Sequence, residues 1–249
     1  MVESIWRKGK LFGFMLLAGI LLMAKPALAD SYYPYEIQGY DVTVKVGKDN
    51  VYHVTERLQV NFQQARHGIY RDIPVINNVS REDGSTSRIQ ARVTNIKTYG
   101  EKKTVGREGS YCRIQLGDKN KTLVGEHMYH ISYDYNMGKD VRKGEDEFYY
   151  NIIGTSWDTT IQNVTFHIMM PEDIDESKVG MAYGESGSTN NEGLQYTING
   201  KVMEGYVDPS IILNPGEAVT VRMVLPDGYY DQVKQRIWPA LISILLSLA

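Results

Sequence analysis

The sequence predicts an all-β protein: an antiparallel β-sandwich, immunoglobulin-like or related, flanked by an N-terminal signal peptide and the beginning of a C-terminal transmembrane helix. Three observations predict it. Almost every segment between residues 30 and 230 alternates apolar and polar residues with period two. Short stretches rich in Gly, Asn, Ser and charge separate these segments, and none of them keeps a helical period.

Residues 1–29 read as the signal peptide. Arg7, Lys8 and Lys10 form a positive start, Leu11 to Ala24 is an apolar run of 14 residues, and "ALA" at 27–29 places small residues where signal peptidase reads them. The run is short for a span of roughly 20 residues, which favours cleavage after Ala29 over an uncleaved anchor.

The domain at 30–230 follows. "YDVTVKV" (40–46) sets Val42, Val44 and Val46 on one face, and "VYHVTERLQVNF" (51–62) does the same for Tyr52, Val54, Leu58, Val60 and Phe62. The intervening "GKDN" makes them a hairpin. "SRIQARVTNIKTY" (87–99) shifts phase after Val93, which predicts a β-bulge near Asn95. "EHMYHISYDY" (126–135) aligns Tyr129, Ile131, Tyr133 and Tyr135, and "NVTFHIMMP" (163–171) aligns Val164, Phe166, Ile168 and Met170. In "LQYTINGKVMEGYV" (194–207), Asn199-Gly200 suits the centre of a type I′ turn. "EAVTVRMVLP" (217–226) closes the domain.

Residues 231–249 form a juxtamembrane segment and an apolar run, "IWPALISILLSLA", of 13 residues without a charge. That is short of the roughly 20 residues a helix needs to cross a bilayer. Trp238 at its entrance suits an interfacial aromatic, and the run is read as the first part of a membrane helix.

Composition narrows the function. Removing residues 1–29 takes four bases (Arg7, Lys8, Lys10, Lys25) and one acid (Glu3) from totals of 27 and 30, leaving 23 and 29 and a formal charge of −6. Nucleic acid, which calls for a basic stripe, is excluded as a partner. The single cysteine, Cys112, cannot close an internal disulfide, and it shares a face with Ile114 and Leu116, so it reads as a small buried apolar residue.

No cofactor or metal is predicted. The five histidines show no H-x-H or HExxH spacing, and His127 and His130 point to opposite faces of one strand. "DKNKT" from Asp118 begins like a calcium loop but lacks its sixth-position glycine and twelfth-position acid. No nucleophile elbow or phosphate-cradling loop occurs, so no catalytic residue is assigned.

One acid breaks the alternation. Glu56 falls between Val54 and Leu58 on the core face, where a lone carboxylate would be strongly disfavoured. Arg71, in "HGIYRDIPV" (67–75), is near enough in sequence to neutralise it. Glu56 and Arg71 are therefore the candidate ion pair, read as a structural clasp in preference to a catalytic acid held by an arginine. Gly68 and Pro74 make the same nine residues a turn.

Taken together, "YDVTVKV…VTERLQVNF…HGIYRDIP", "TSWDTTIQNVTFHIMMP" and "LNPGEAVTVRMVLPDGYY" resemble, in order, the N-terminal extracytoplasmic domain of domain-of-unknown-function family 2207, over roughly Ser31 to Tyr230. The resemblance implies a signal peptide, a β-rich domain and following transmembrane helices in a bacterial membrane protein. It implies no established activity and brings no catalytic residues.

The function expected is that of a non-enzymatic ectodomain, exported and held at the membrane by the C-terminal helix, that binds another envelope protein. The alternative is a module that binds, or less readily hydrolyses, a cell-wall polymer. For that alternative Trp157, in the loop "GTSWDTT" (154–160), is the candidate ligand contact among 18 tyrosines and three tryptophans.

Overall fold

A computed structural model describes residues 33–80, 84–139 and 144–234. The expected signal peptide, and the membrane-helix run from residue 235 onward, lie outside the described residues. Within them no helix is long and apolar enough to cross a membrane.

The chain is all-β. Its strands are β1 (Tyr35–Val46), β2 (Val51–Arg66), β3 (Gly68–Pro74), β4 (Ile76–Ser80) and β5 (Thr86–Gln90). There follow β6 (Arg92–Thr98), β7 (Lys103–Glu108), β8 (Tyr111–Gly117), β9 (Leu123–Asn136) and β10 (Glu145–Ile153). The last are β11 (Val164–Met169), β12 (Val179–Gly184), β13 (Leu194–Asn199), β14 (Val202–Val207) and β15 (Ala218–Pro226). A single 3₁₀ turn at Glu176–Lys178 precedes β12.

Seven strands form the largest sheet, in the order β13-β14-β11-β1-β2-β9-β6. Two three-stranded sheets, β10-β15-β12 and β3-β8-β7, and the ribbon β4-β5 complete the fold. The alternation read from sequence sets the faces: Val42, Val44, Val54, Leu58, Ile131 and Tyr133 all point inward and are buried. Each such aliphatic side chain contributes about 1.5–3 kcal/mol on leaving water. Strands β3 and β10 meet this inner face. Tyr135 donates to the Pro74 carbonyl, and Tyr52 packs on Phe148 and Tyr150.

Several sequence expectations are corrected. The large sheet is mixed, because β11 runs parallel to β1, with Tyr40 opposite Val164 and Val44 opposite Ile168. Alternation fixes which face a residue takes but says nothing about the direction of a neighbour 124 residues away. "HGIYRDIPV" is strand β3 instead of a turn: Gly68 sits opposite Gly117 of β8. Both glycines have φ +136, and a Cβ on either would fall within about 2 Å of the other strand's carbonyl oxygen. The glycines permit close approach here, not chain reversal.

The run at 87–99 divides at Ala91 into β5 and β6, and the expected bulge appears where the β6–β9 register slips between Thr94 and Lys97, with Asn95 at φ 52. In the β13–β14 hairpin Asn199 pairs with Val202, so the two-residue loop is Gly200-Lys201, with positive φ at Gly200 alone. That is the type II′ pattern, not type I′. Cys112 is half-buried at the edge of β8, short of the full burial of Ile114 and Leu116.

Candidate functional site

The acid that breaks the alternation lies at the centre of the fold. Glu56 faces inward from β2, opposite Val42 of β1 and Ile131 of β9. Arg71 points at it from β3, and the two side chains are 0% and 2% exposed. Arg71 Nη2 donates to Glu56 Oε1 at 2.7 Å and Nε donates to Oε2 at 2.8 Å. Tyr40 donates to Oε2 at 2.8 Å and Tyr133 to Oε1 at 2.6 Å. Arg71 Nη1 donates to the Asp72 carbonyl, and the Tyr133 and Tyr150 hydroxyls lie 2.9 Å apart.

An ionised carboxylate accepts about four hydrogen bonds. Glu56 receives four donors from three residues, so its acceptor capacity is filled. Burial is the largest single influence on Arg71 and opposes its charge, but the Glu56 carboxylate with Tyr40 and Tyr133 together outweigh it and hold the guanidinium pKa well above its ordinary value. Burial first, joined by the Glu56 charge and opposed by that of Arg71, raises the Tyr40 and Tyr133 phenols well above theirs. The Glu56 carboxylate, filled and excluded from solvent, has no lone pair to offer a substrate.

Trp157 joins the same cluster. It is 3% exposed, with the Arg71 guanidinium 5.7 Å from its ring and the Tyr40 ring edge-on at 5.7 Å. The loop carrying it is pinned inward: Ser156 donates to the Asp72 carbonyl, Thr159 to the Tyr35 carbonyl, and Tyr35 to Asp158. The expectation that Trp157 contacts a ligand is therefore corrected, since its side chain is almost wholly buried. The structure brings Glu56, Arg71 and Trp157 together, but in the core.

The opposite face of the seven-stranded sheet holds an open groove of about 640 Å³ that sequence reading did not find. Asp41, Arg57, Gln59, Met128, His167 and Glu204 line it. Gly39, beside the bulge where the β1–β2 register slips, leaves out a side chain there. The charges are interleaved. Thr165 donates to Asp41 at 2.9 Å, Arg57 approaches the same carboxylate at 3.9 Å, and His167 stands 3.8 Å from Asp41 and 3.3 Å from Glu204.

One cross-strand row crosses the groove from side to side: Tyr206, Thr165, Asp41, Arg57, His130, Tyr99. Tyr206 and Tyr99 end it and are 40% and 55% exposed. Tyr99 stacks one face on His130 at 4.1 Å, and Tyr206 is steadied by a hydrogen bond to Gln195. Among the described residues, no group of three or more His, Cys, Asp or Glu side chains could hold a metal ion.

Residues 36–225 match the model of the predicted membrane protein (DUF2207) N-terminal domain. The chain belongs to the DUF2207 family. This DUF2207 domain is similar to the uncharacterized protein YciQ of Escherichia coli (strain K12), with 24% identity over 190 residues. The match covers 72% of the chain and 30% of that relative, so the chain spans less than a third of its length. Among solved structures, the M1 zinc metallopeptidase of Deinococcus radiodurans overlaps 76% of the DUF2207 chain and 42% of its own, with TM-score 0.39 and 9% identity. Native leukotriene A4 hydrolase from Saccharomyces cerevisiae overlaps 78% and 30%, with TM-score 0.41 and 6% identity. Likeness at that level carries no argument about this chain's chemistry.

Proposed function

We propose that this chain is a non-enzymatic recognition domain that a membrane protein holds outside the cytoplasm as a two-layered β-sandwich, and that it recognises a component of the cell envelope with the outer face of its seven-stranded sheet. The observation that carries the reading is the division of polar residues between the two faces. On the inner face the Glu56 carboxylate is buried, and Arg71, Tyr40 and Tyr133 fill its hydrogen-bonding capacity. The outer face keeps Arg57, Met128, Glu204, Tyr99 and Tyr206 exposed around an open groove. A concave surface mixing apolar and convergent polar side chains is the ordinary form of a binding site. The export-type N-terminus and membership of a family of predicted membrane proteins support the location. Coverage of the inner sheet face by β3 and β10 supports the sandwich.

The test is retention of the full chain, purified in a mild detergent, on washed bacterial cell envelopes. Saturable retention, with no soluble wall fragments released, is expected. Absence of retention contradicts recognition, and release of fragments contradicts the non-enzymatic part.

A further inference from the structure

We infer that the outer groove takes an uncharged, extended glycan built of β-linked pyranose units. This rests on the reading of the outer face as the recognition surface and names the chemistry of its occupant.

The flanks of the groove come first. Tyr206 on β14 and Tyr99, just past the end of β6, stand on one cross-strand row, five intervals apart, or roughly 24 Å at the usual spacing of ~4.8 Å. The row runs through the groove at Thr165, Asp41 and Arg57, and the two exposed rings lie beyond its lining on either side. Such amphipathic rings present a flat apolar face with a hydroxyl at its rim, which suits the C–H face of a pyranose. A chain of several sugars covers that length; a single small molecule does not.

The trough between them is furnished for hydroxyl groups. Asp41 and Glu204 accept, Arg57 donates, and Gln59 and Asn163 do both. Met128, 59% exposed, adds an apolar patch against which a ring can lie. Charge decides against the competing polymers. Two carboxylates accompany one guanidinium, so a polyanion meets net repulsion, while Arg57 beside Asp41 interrupts the acidic field a polycation would need. A peptide strand adds at a sheet edge and uses main-chain groups, whereas this groove lies across the middle of the sheet, where the strands are already paired.

The experiment is calorimetric titration of the full chain in detergent with two probes, the β-1,4-linked hexamers of N-acetylglucosamine and of glucose. At least one should bind saturably, with little change between low and 0.5 M salt, roughly the ionic strength at which screening shortens below ~5 Å. Tyr99→Ala and Tyr206→Ala should each weaken binding about tenfold without lowering the melting temperature. No heat with either hexamer overturns the inference, as does binding that both substitutions leave unchanged. Should the hexamers fail while envelope retention persists and is abolished by protease treatment of the envelopes, the recognition surface stands and its occupant is a protein. Should retention fail as well, both readings fall.

Discussion

Arg71 Nη2 lies 2.7 Å from Glu56 Oε1 with both side chains sealed from solvent, and two tyrosine hydroxyls complete the carboxylate's hydrogen bonding. The pair joins β2 of the large sheet to β3 of a small one, so it links two sheets that share no backbone ladder.

Breaking this pair from one side leaves an uncompensated buried charge. Glu56→Gln and Arg71→Met should each lower the unfolding free energy by about 3–5 kcal/mol. The double variant should lose well under the sum, because neither charge is then stranded; a coupling of about 0.5–3 kcal/mol is expected. Urea unfolding of the four proteins measures it, and strict additivity would show that the two groups do not act as a pair.

The buried phenols set the alkaline limit. Tyr40, Tyr133 and Tyr150 have folded-state pKa values raised above the ordinary 10.0, burial being the first cause in each. A raised pKa means the folded state holds the proton more tightly. The stability from this source is therefore fully present below pH 10 and is lost as pH rises beyond it, when only the unfolded chain ionises. Melting temperature should begin its alkaline fall near pH 10, and tyrosinate absorbance from these residues should appear together with unfolding. Ionisation of all the tyrosines near pH 10 in the folded protein would contradict the burial.

The Gly68–Gly117 crossing should not admit a side chain. Gly68→Ala places a Cβ 1.8 Å from the Leu116 carbonyl oxygen at φ +136, and a loss of about 2 kcal/mol or more is expected. Gly106→Ala on exposed β7, where a Cβ meets nothing, should stay within about 0.5 kcal/mol. Thermal melting separates the two, and equal effects would sink the close-approach explanation.

Sequence reading reached the faces but not the neighbours. The alternation of β1, β2 and β9 is local, so Val42, Leu58 and Tyr133 were legible as core, and Glu56 was legible as the exception that needs a cation. The same reading took "HGIYRDIPV" for a turn because Gly68 and Pro74 ordinarily punctuate, while the demand for Gly68 comes from Gly117, 49 residues on. Trp157 looked available because its loop is polar, and long-range hydrogen bonds, among them those from Ser156, Thr159 and Tyr35, turn that loop inward. The groove was illegible for a further reason. Asp41, Arg57, His167 and Glu204 are separate polar positions on four strands, and strand order, including the parallel β1–β11 pair, is what makes them adjacent.

The claim that recognition belongs to the outer face is tested most directly by filling the groove. Gly39 lines it, and a Cβ there meets only Gln59, at an ordinary 3.5 Å. Gly39→Phe should leave melting temperature unchanged and abolish saturable retention of the full chain on washed cell envelopes. Undiminished retention by the folded variant would contradict the account and place recognition elsewhere on the molecule.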